Sequence, residues 1–173
     1  HQILTHPTDS EIAYIGGVNG GVWRPTNFTA NNPIWTSLTD QFPGLSIGAL
    51  EFDTTDAASN TIYAGIGRFS SFGGNGGPLT GLLRTTDGGD TWEQLGVDDL
   101  TGRNVSGVFA RGNTIVVAAN DFNGGIGAGV YRSTDGGDTF TLVSGTSGLG
   151  FGAALHIAAD GTNAHRLYVS IRN

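Results

Sequence analysis

The chain has 173 residues, room for one domain, and a formal net charge of −7; its eight cations are all arginine, so no nucleic-acid partner held by phosphate neutralisation is expected. It has no cysteine, which excludes disulfides, a thiolate nucleophile and zinc–thiolate centres. No apolar run approaches membrane-spanning length, so no membrane insertion is expected.

Taken in chain order, short segments rich in Val, Ile, Tyr and Phe, bounded by Gly, Asp and Asn, predict strands in groups of four. The first group is 2–5, 12–18, 21–24 and 34–38. The second is 47–52, 61–67, 81–85 and 91–95, and the third is 105–110, 114–119, 129–133 and 139–143. A fourth begins with 154–158 and 167–171. No window carries an extended 3.6-residue apolar period, so essentially no helix is expected. The 30 glycines fall between these runs, as tight turns between many short strands require.

The groups are repeats. Arg84-Thr85-Thr86-Asp87-Gly88-Gly89-Asp90-Thr91-Trp92 recurs as Arg132-Ser133-Thr134-Asp135-Gly136-Gly137-Asp138-Thr139-Phe140, and a decayed copy runs over 24–35. Four antiparallel strands per unit of this length is the pattern of an all-β fold, a β-propeller of four-stranded blades. About three and a half blades are expected (1–44, 45–100, 101–150 and a partial 151–173), all part of a single propeller domain. The chain starts at His1 and stops at Asn173 inside an apolar strand pattern, so it reads as a piece of a longer protein. The remaining blades are expected from missing sequence or from another copy.

The segments 85–92 and 133–140 match Ser/Thr-x-Asp-x-Gly-x-Thr-Trp/Phe, and so resemble the Asp-box, or BNR, repeat of sialidases, xyloglucanase-like glycosidases, sortilin-type VPS10 domains and photosystem assembly propellers. The phrases 12–24 and 45–53 look like the VPS10/BNR-like propellers of large bacterial extracellular proteins. That resemblance implies a secreted or cell-surface location. A carboxylate can accept turn amides, glycine takes positive φ, and the terminal aromatic buries surface between sheets. Asp87, Gly89, Trp92, Asp135, Gly137, Phe140 and the earlier Trp35 are therefore expected to be structural. In the first unit 27–33 replaces the box and its carboxylate is lost.

The loops joining second to third strands (18–20, 68–80 and 120–128) share one face with the crossings 39–46, 96–104 and 144–152. Arg68, Phe69, Phe72 and Asn75 form the best candidate ligand surface, where two aromatics and an arginine on a small-residue loop suit a sugar or a peptide. The competing reading folds both phenylalanines under their own loop. Asp121 and Asn123 are further ligand-binding candidates on the same face; they resemble part of a calcium loop, but one carboxylate is too few, and a solvated turn is the competing reading. No cofactor or metal is expected, calcium being the single candidate. Arg24, Arg84 and Arg132 occupy the same place in each unit; an anion-binding cluster and a strand-edge structural role compete, and repetition favours the second. His6 and His156 lack metal-ligand spacing. Asn27 and Asn104 head N-glycosylation patterns.

A glycosidase needs two converging carboxylates. The candidate face offers Asp40, Asp98, Asp99 and Asp121, none set apart from solvated loop acids. The resemblance to xyloglucanase-like enzymes implies a catalytic Asp at position 18, where this chain has Val18, and the sialidase Phe/Tyr-Arg-Ile-Pro signature is missing. The expected function is a non-catalytic extracellular binding or scaffold module for a protein or glycan. The alternatives are a glycoside hydrolase with catalytic residues partly in missing blades, and a structural spacer of a surface or filament assembly.

Overall fold

The computed structural model describes residues 2–69, 76–120, 127–163 and 165–172. The first sheet contains β1 (Gln2–Thr5), β2 (Ala13–Gly16), β3 (Val22–Pro25) and β4 (Trp35–Ser37). The second contains β5 (Ile47–Phe52), β6 (Ile62–Ile66), β7 (Leu82–Thr85) and β8 (Glu93–Leu95). The third contains β9 (Asn104–Arg111), β10 (Thr114–Asn120), β11 (Gly129–Ser133) and β12 (Thr141–Leu142). A two-stranded ladder of β13 (Ala153–Ala159) and β14 (Leu167–Arg172) follows. Each four-stranded sheet is an antiparallel meander in sequence order, the arrangement of a propeller blade. The expectation of almost no helix meets one departure, the single turn α1 (Val97–Leu100) in the crossing between the second and third sheets.

The period of two along each strand divides the core between neighbouring sheets. Ile62, Ala64 and Ile66 of β6 pack toward the first sheet with Tyr14, Val22 and Leu83. Tyr63, between them, packs toward the third with Val105, Ile115 and Val117. In β10, Val116 and Ala118 turn the other way, onto Ala154 and Ile157 of β13. A strand buried on both faces therefore reads as a continuous apolar run, as in 62–66, instead of alternating with polar residues.

The outer strands are shorter than their apolar runs. Thr91 and Thr139 fall before β8 and β12 because their amides are bound by the Asp87 and Asp135 carboxylates. Phe140 is buried and Trp92 packs against the core between the first two sheets. Trp35 does not follow them: it is exposed, meeting Phe28 edge-on, and among the described residues no sheet covers that side. The helical turn α1 contributes Leu100, fully buried between the second and third sheets.

Candidate functional site

The first strands β1, β5, β9 and β13 stand next to one another in order, and three carry a β-bulge at the same end. The unpaired extra residues are Gly48 in β5, Ser106 in β9 and Leu155 in β13. A bulge re-aims its residue away from the ladder. All three line one cleft of about 570 Å³, joined by Gln2, Val18, Asn120, His156 and Phe69. The cleft thus sits where the innermost strands meet the loops joining second to third strands.

Phe69 partly answers both sequence readings. Its ring lies against Gly48 and Gly67, where any Cβ would overlap it, so one side is packed. It nevertheless stays 38 % exposed within the cleft wall. Arg68 anchors the loop by donating its amide to the Asn104 Oδ1 at 2.7 Å. Phe72, Asn75, Asp121 and Asn123 lie outside the described residues.

The polar lining is neutral apart from His156. Ser106 Oγ donates to the Ala154 carbonyl at 2.7 Å, tying β9 to β13, and Gln2 Oε1 accepts the Leu50 amide at 3.1 Å. Asn120 is 7 % exposed, and its Oδ1 has no hydrogen-bond partner among the described residues. A buried acceptor left unmatched costs about 1–3 kcal/mol. No carboxylate lines the cleft among the described residues. Asp40 accepts the Ser37 hydroxyl, and Asp99 Oδ2 accepts the Phe140 amide at 2.8 Å; neither they nor Asp98 belong to the cleft. Glu51 of β5 was not singled out from sequence. Burial raises its pKa against a weaker opposing pull from a backbone hydrogen bond and from the charge of His156.

The repeated turns face the neighbouring sheets. Asp87 Oδ1 accepts the Thr85 hydroxyl at 2.7 Å and the Thr91 amide at 2.9 Å, and Oδ2 accepts the Thr91 hydroxyl at 2.6 Å. Asp135 repeats this with Ser133 and Thr139. In the first sheet the Asn27 Oδ1 serves instead, accepting the Ile34 amide at 3.0 Å. The equivalent arginines tie successive sheets: Arg24 donates to the Gly88 carbonyl and pairs with Asp90 at 2.9 Å, while Arg84 donates to the Gly136 carbonyl at 2.9 Å. They are not clustered around an anion site. His6 staples its own loop by accepting the Asp9 amide at 3.1 Å, and Asn104 is buried, which removes it as a glycosylation acceptor. Among the described residues no group of three potential metal ligands occurs.

These turns set an acid dependence. Thr91 and Thr85 hold the Asp87 carboxyl far below the usual range, and Thr139 and Ser133 do the same for Asp135. The Thr162 amide and hydroxyl bring Asp160 down to about 2. A depressed carboxyl contributes stability in full above its unfolded value near ~4, and loses it as pH falls through the folded value. Glu51 has the opposite sign, since a raised carboxyl favours the fold as it becomes protonated. Stability is expected to fall below pH ~4, with the loss continuing through ~2. Urea midpoints at pH 7 and pH 3 check this: the Asp87→Asn/Asp135→Asn chain should have a flatter pH dependence than wild type, and equal slopes would contradict the assignment.

No family model matches the chain, and no curated protein matches it significantly. Solved structures do. An ancestral GH74 enzyme matches over 97% of this chain and 21% of its own, with a TM-score of 0.67 and 17% identity. The GH74 xyloglucanase from Xanthomonas campestris matches over 98% of this chain and 27% of its own, with a TM-score of 0.63 and 21% identity. YCF48 bound to D1 peptide matches over 92% of this chain and 48% of its own, with a TM-score of 0.56 and 16% identity. Such neighbours, set beside the meander sheets, decide the architecture. The chain has the β-propeller fold. It spans about a quarter of the length of the GH74 structures, and at these identities the likeness extends to the fold alone.

Proposed function

We propose that this propeller is a non-catalytic, extracellular glycan-binding module whose ligand enters the cleft at the ends of the inner strands. The observation that carries the reading is Phe69, packed by a ring edge against Gly48 and Gly67 and lining the same cleft as the buried, unmatched Asn120 Oδ1. An aromatic platform offers apolar area to a sugar face, and a desolvated amide oxygen accepts a hydroxyl. Among the described residues the lining carries no carboxylate, lysine or arginine, which suits a neutral glycan better than a charged peptide. Val18 stands in the cleft wall, at the position where the xyloglucanase resemblance would require an acid. In this reading no cofactor takes part, and Asp87 and Asp135 are structural.

A glycoside hydrolase is the second reading, favoured by the GH74 neighbours and by Glu51, a raised carboxyl within electrostatic reach of His156. One calorimetric titration with xyloglucan oligosaccharides, followed by an assay for new reducing ends, separates the two. Binding without cleavage is expected. Phe69→Ala and Asn120→Ala should each weaken binding about tenfold, the equivalent of ~1.4 kcal/mol, whereas Glu51→Gln should leave it unchanged. Cleavage lost in Glu51→Gln would favour the hydrolase. Binding unaffected by Phe69→Ala in a folded chain would remove the cleft from consideration, and a ligand confined to peptides would overturn the glycan reading.

A further inference from the structure

Each polar side chain of the cleft keeps a defined hydrogen-bonding capacity for a ligand. The Ser106 hydroxyl has one proton, and both of its contacts are to carbonyls, Ala154 at 2.7 Å and Ala118 at 3.2 Å. Toward the cleft Ser106 can therefore only accept. Gln2 is the reverse case: its Oε1 is taken by the Leu50 amide at 3.1 Å, so the end left over is Nε2, a donor. Asn120 closes β10, directly opposite Asn104 in the ladder. The Asn104 Oδ1 accepts the Arg68 amide, whereas the Asn120 Oδ1 is buried and has no partner among the described residues.

We propose that the cleft reads the substitution state of its glycan: it takes a chain with a free hydroxyl at Asn120 and rejects one whose hydroxyl there is acylated or alkylated. The inference deepens the glycan reading above and rests on it. Gln2 is part-exposed, so its Nε2 can turn to water when a ligand fails to meet it. A buried acceptor has no such alternative, and a ligand without the matching proton leaves it stranded. An ester or ether oxygen is an acceptor only. It would set its lone pairs against those of Asn120 Oδ1 and Ser106 Oγ. The apolar lining of Val18, Ile47, Phe69 and Leu155 supplies no side-chain hydrogen-bond donor to relieve that conflict. His156 donates or accepts according to its tautomer and so does not discriminate. Asn120 is thus the specificity-determining residue, with Ser106 in support. A reaction that acylates the glycan would remove it as a ligand, and an ester hydrolysis would restore it.

The test titrates the 173-residue chain by calorimetry with one xyloglucan oligosaccharide in three forms: free, O-acetylated, and with single hydroxyls replaced by fluorine. Fluorine nearly keeps the size of a hydroxyl but lacks its proton, so loss of the donor is told apart from steric exclusion. The acetylated form should bind about tenfold or more weaker than the free sugar, and at least one fluorinated form should lose a similar factor. On Asn120→Ala, that fluorinated form and the free sugar should bind within about threefold of each other, because no acceptor remains to be stranded. The ligand series on the wild-type chain decides the matter even if that variant fails to fold. Equal binding of free and acetylated sugar, or indifference to every single fluorine, would overturn the inference and leave the glycan reading standing. So would a fluorine loss that persists undiminished in both Asn120→Ala and Ser106→Ala. No binding by any form would overturn the glycan reading and this inference with it.

Discussion

Gly137→Ala is expected to destabilise the chain by about 3 kcal/mol, whereas Gly102→Ala should cost only about 1 kcal/mol. Both glycines have positive φ, +100° and +82°. A Cβ at 102 meets nothing within 4 Å, so that variant isolates backbone strain. A Cβ at 137 would stand 2.7 Å from Leu95 Cδ1 and 3.2 Å from Ile115 Cδ1, pressing the repeated turn away from the second sheet. The Gly137 amide also donates to the Ser133 hydroxyl at 2.9 Å, which fixes how closely the turn approaches. For a chain of this size the difference of ~2 kcal/mol corresponds to ~4–8 °C in melting temperature. Urea unfolding of both variants reads it directly. Equal losses would mean that the turn tolerates a methyl against Leu95 and that the interblade contact is soft.

What the sequence carried plainly was local. Short runs rich in apolar residues marked 2–5, 47–52 and 129–133 with the limits that β1, β5 and β11 have. The helical turn α1 escaped because four residues cannot display a 3.6-residue period, and only Leu100 faces inward. The loop 68–80 was legible as a candidate surface from its aromatics, and Phe69 does line the cleft. The rest of that wall was not. Gly48, Ser106 and Leu155 enter it through bulges, which shift register without leaving a compositional mark, and Asn120 and His156 look ordinary along the chain. The arginines illustrate the same limit: their equivalent place in each unit was visible, but that Arg24 and Arg84 reach into the following sheet is a long-range fact.

Asp53 is the residue whose importance was least visible, and its replacement is the sharpest test of how the blades are fastened. It closes β5 and is only 6 % exposed. Oδ1 accepts the Thr55 amide at 2.8 Å and the Thr55 hydroxyl at 2.6 Å, and Oδ2 accepts the Gly112 amide of the third sheet at 2.9 Å. Asp53→Ala removes a buried charged acceptor shared by the Gly112 amide and the Thr55 turn, so a loss of about 2 kcal/mol is expected, with Asp53→Asn recovering roughly half because one acceptor oxygen remains. Asp56 is the internal comparison: its carboxylate accepts the Ala58, Asn60 and Thr61 amides of its own loop and nothing from the third sheet. Asp56→Ala should therefore cost less. Because β5 and β9 carry the Gly48 and Ser106 bulges at their other ends, loosening the clip also frees the spacing of the cleft. Asp53→Asn should then weaken xyloglucan binding more than its loss of folded fraction explains, while Asp56→Ala should not. Equal unfolding midpoints for Asp53→Ala and Asp56→Ala would show that the contact across the sheets adds nothing beyond the local turn.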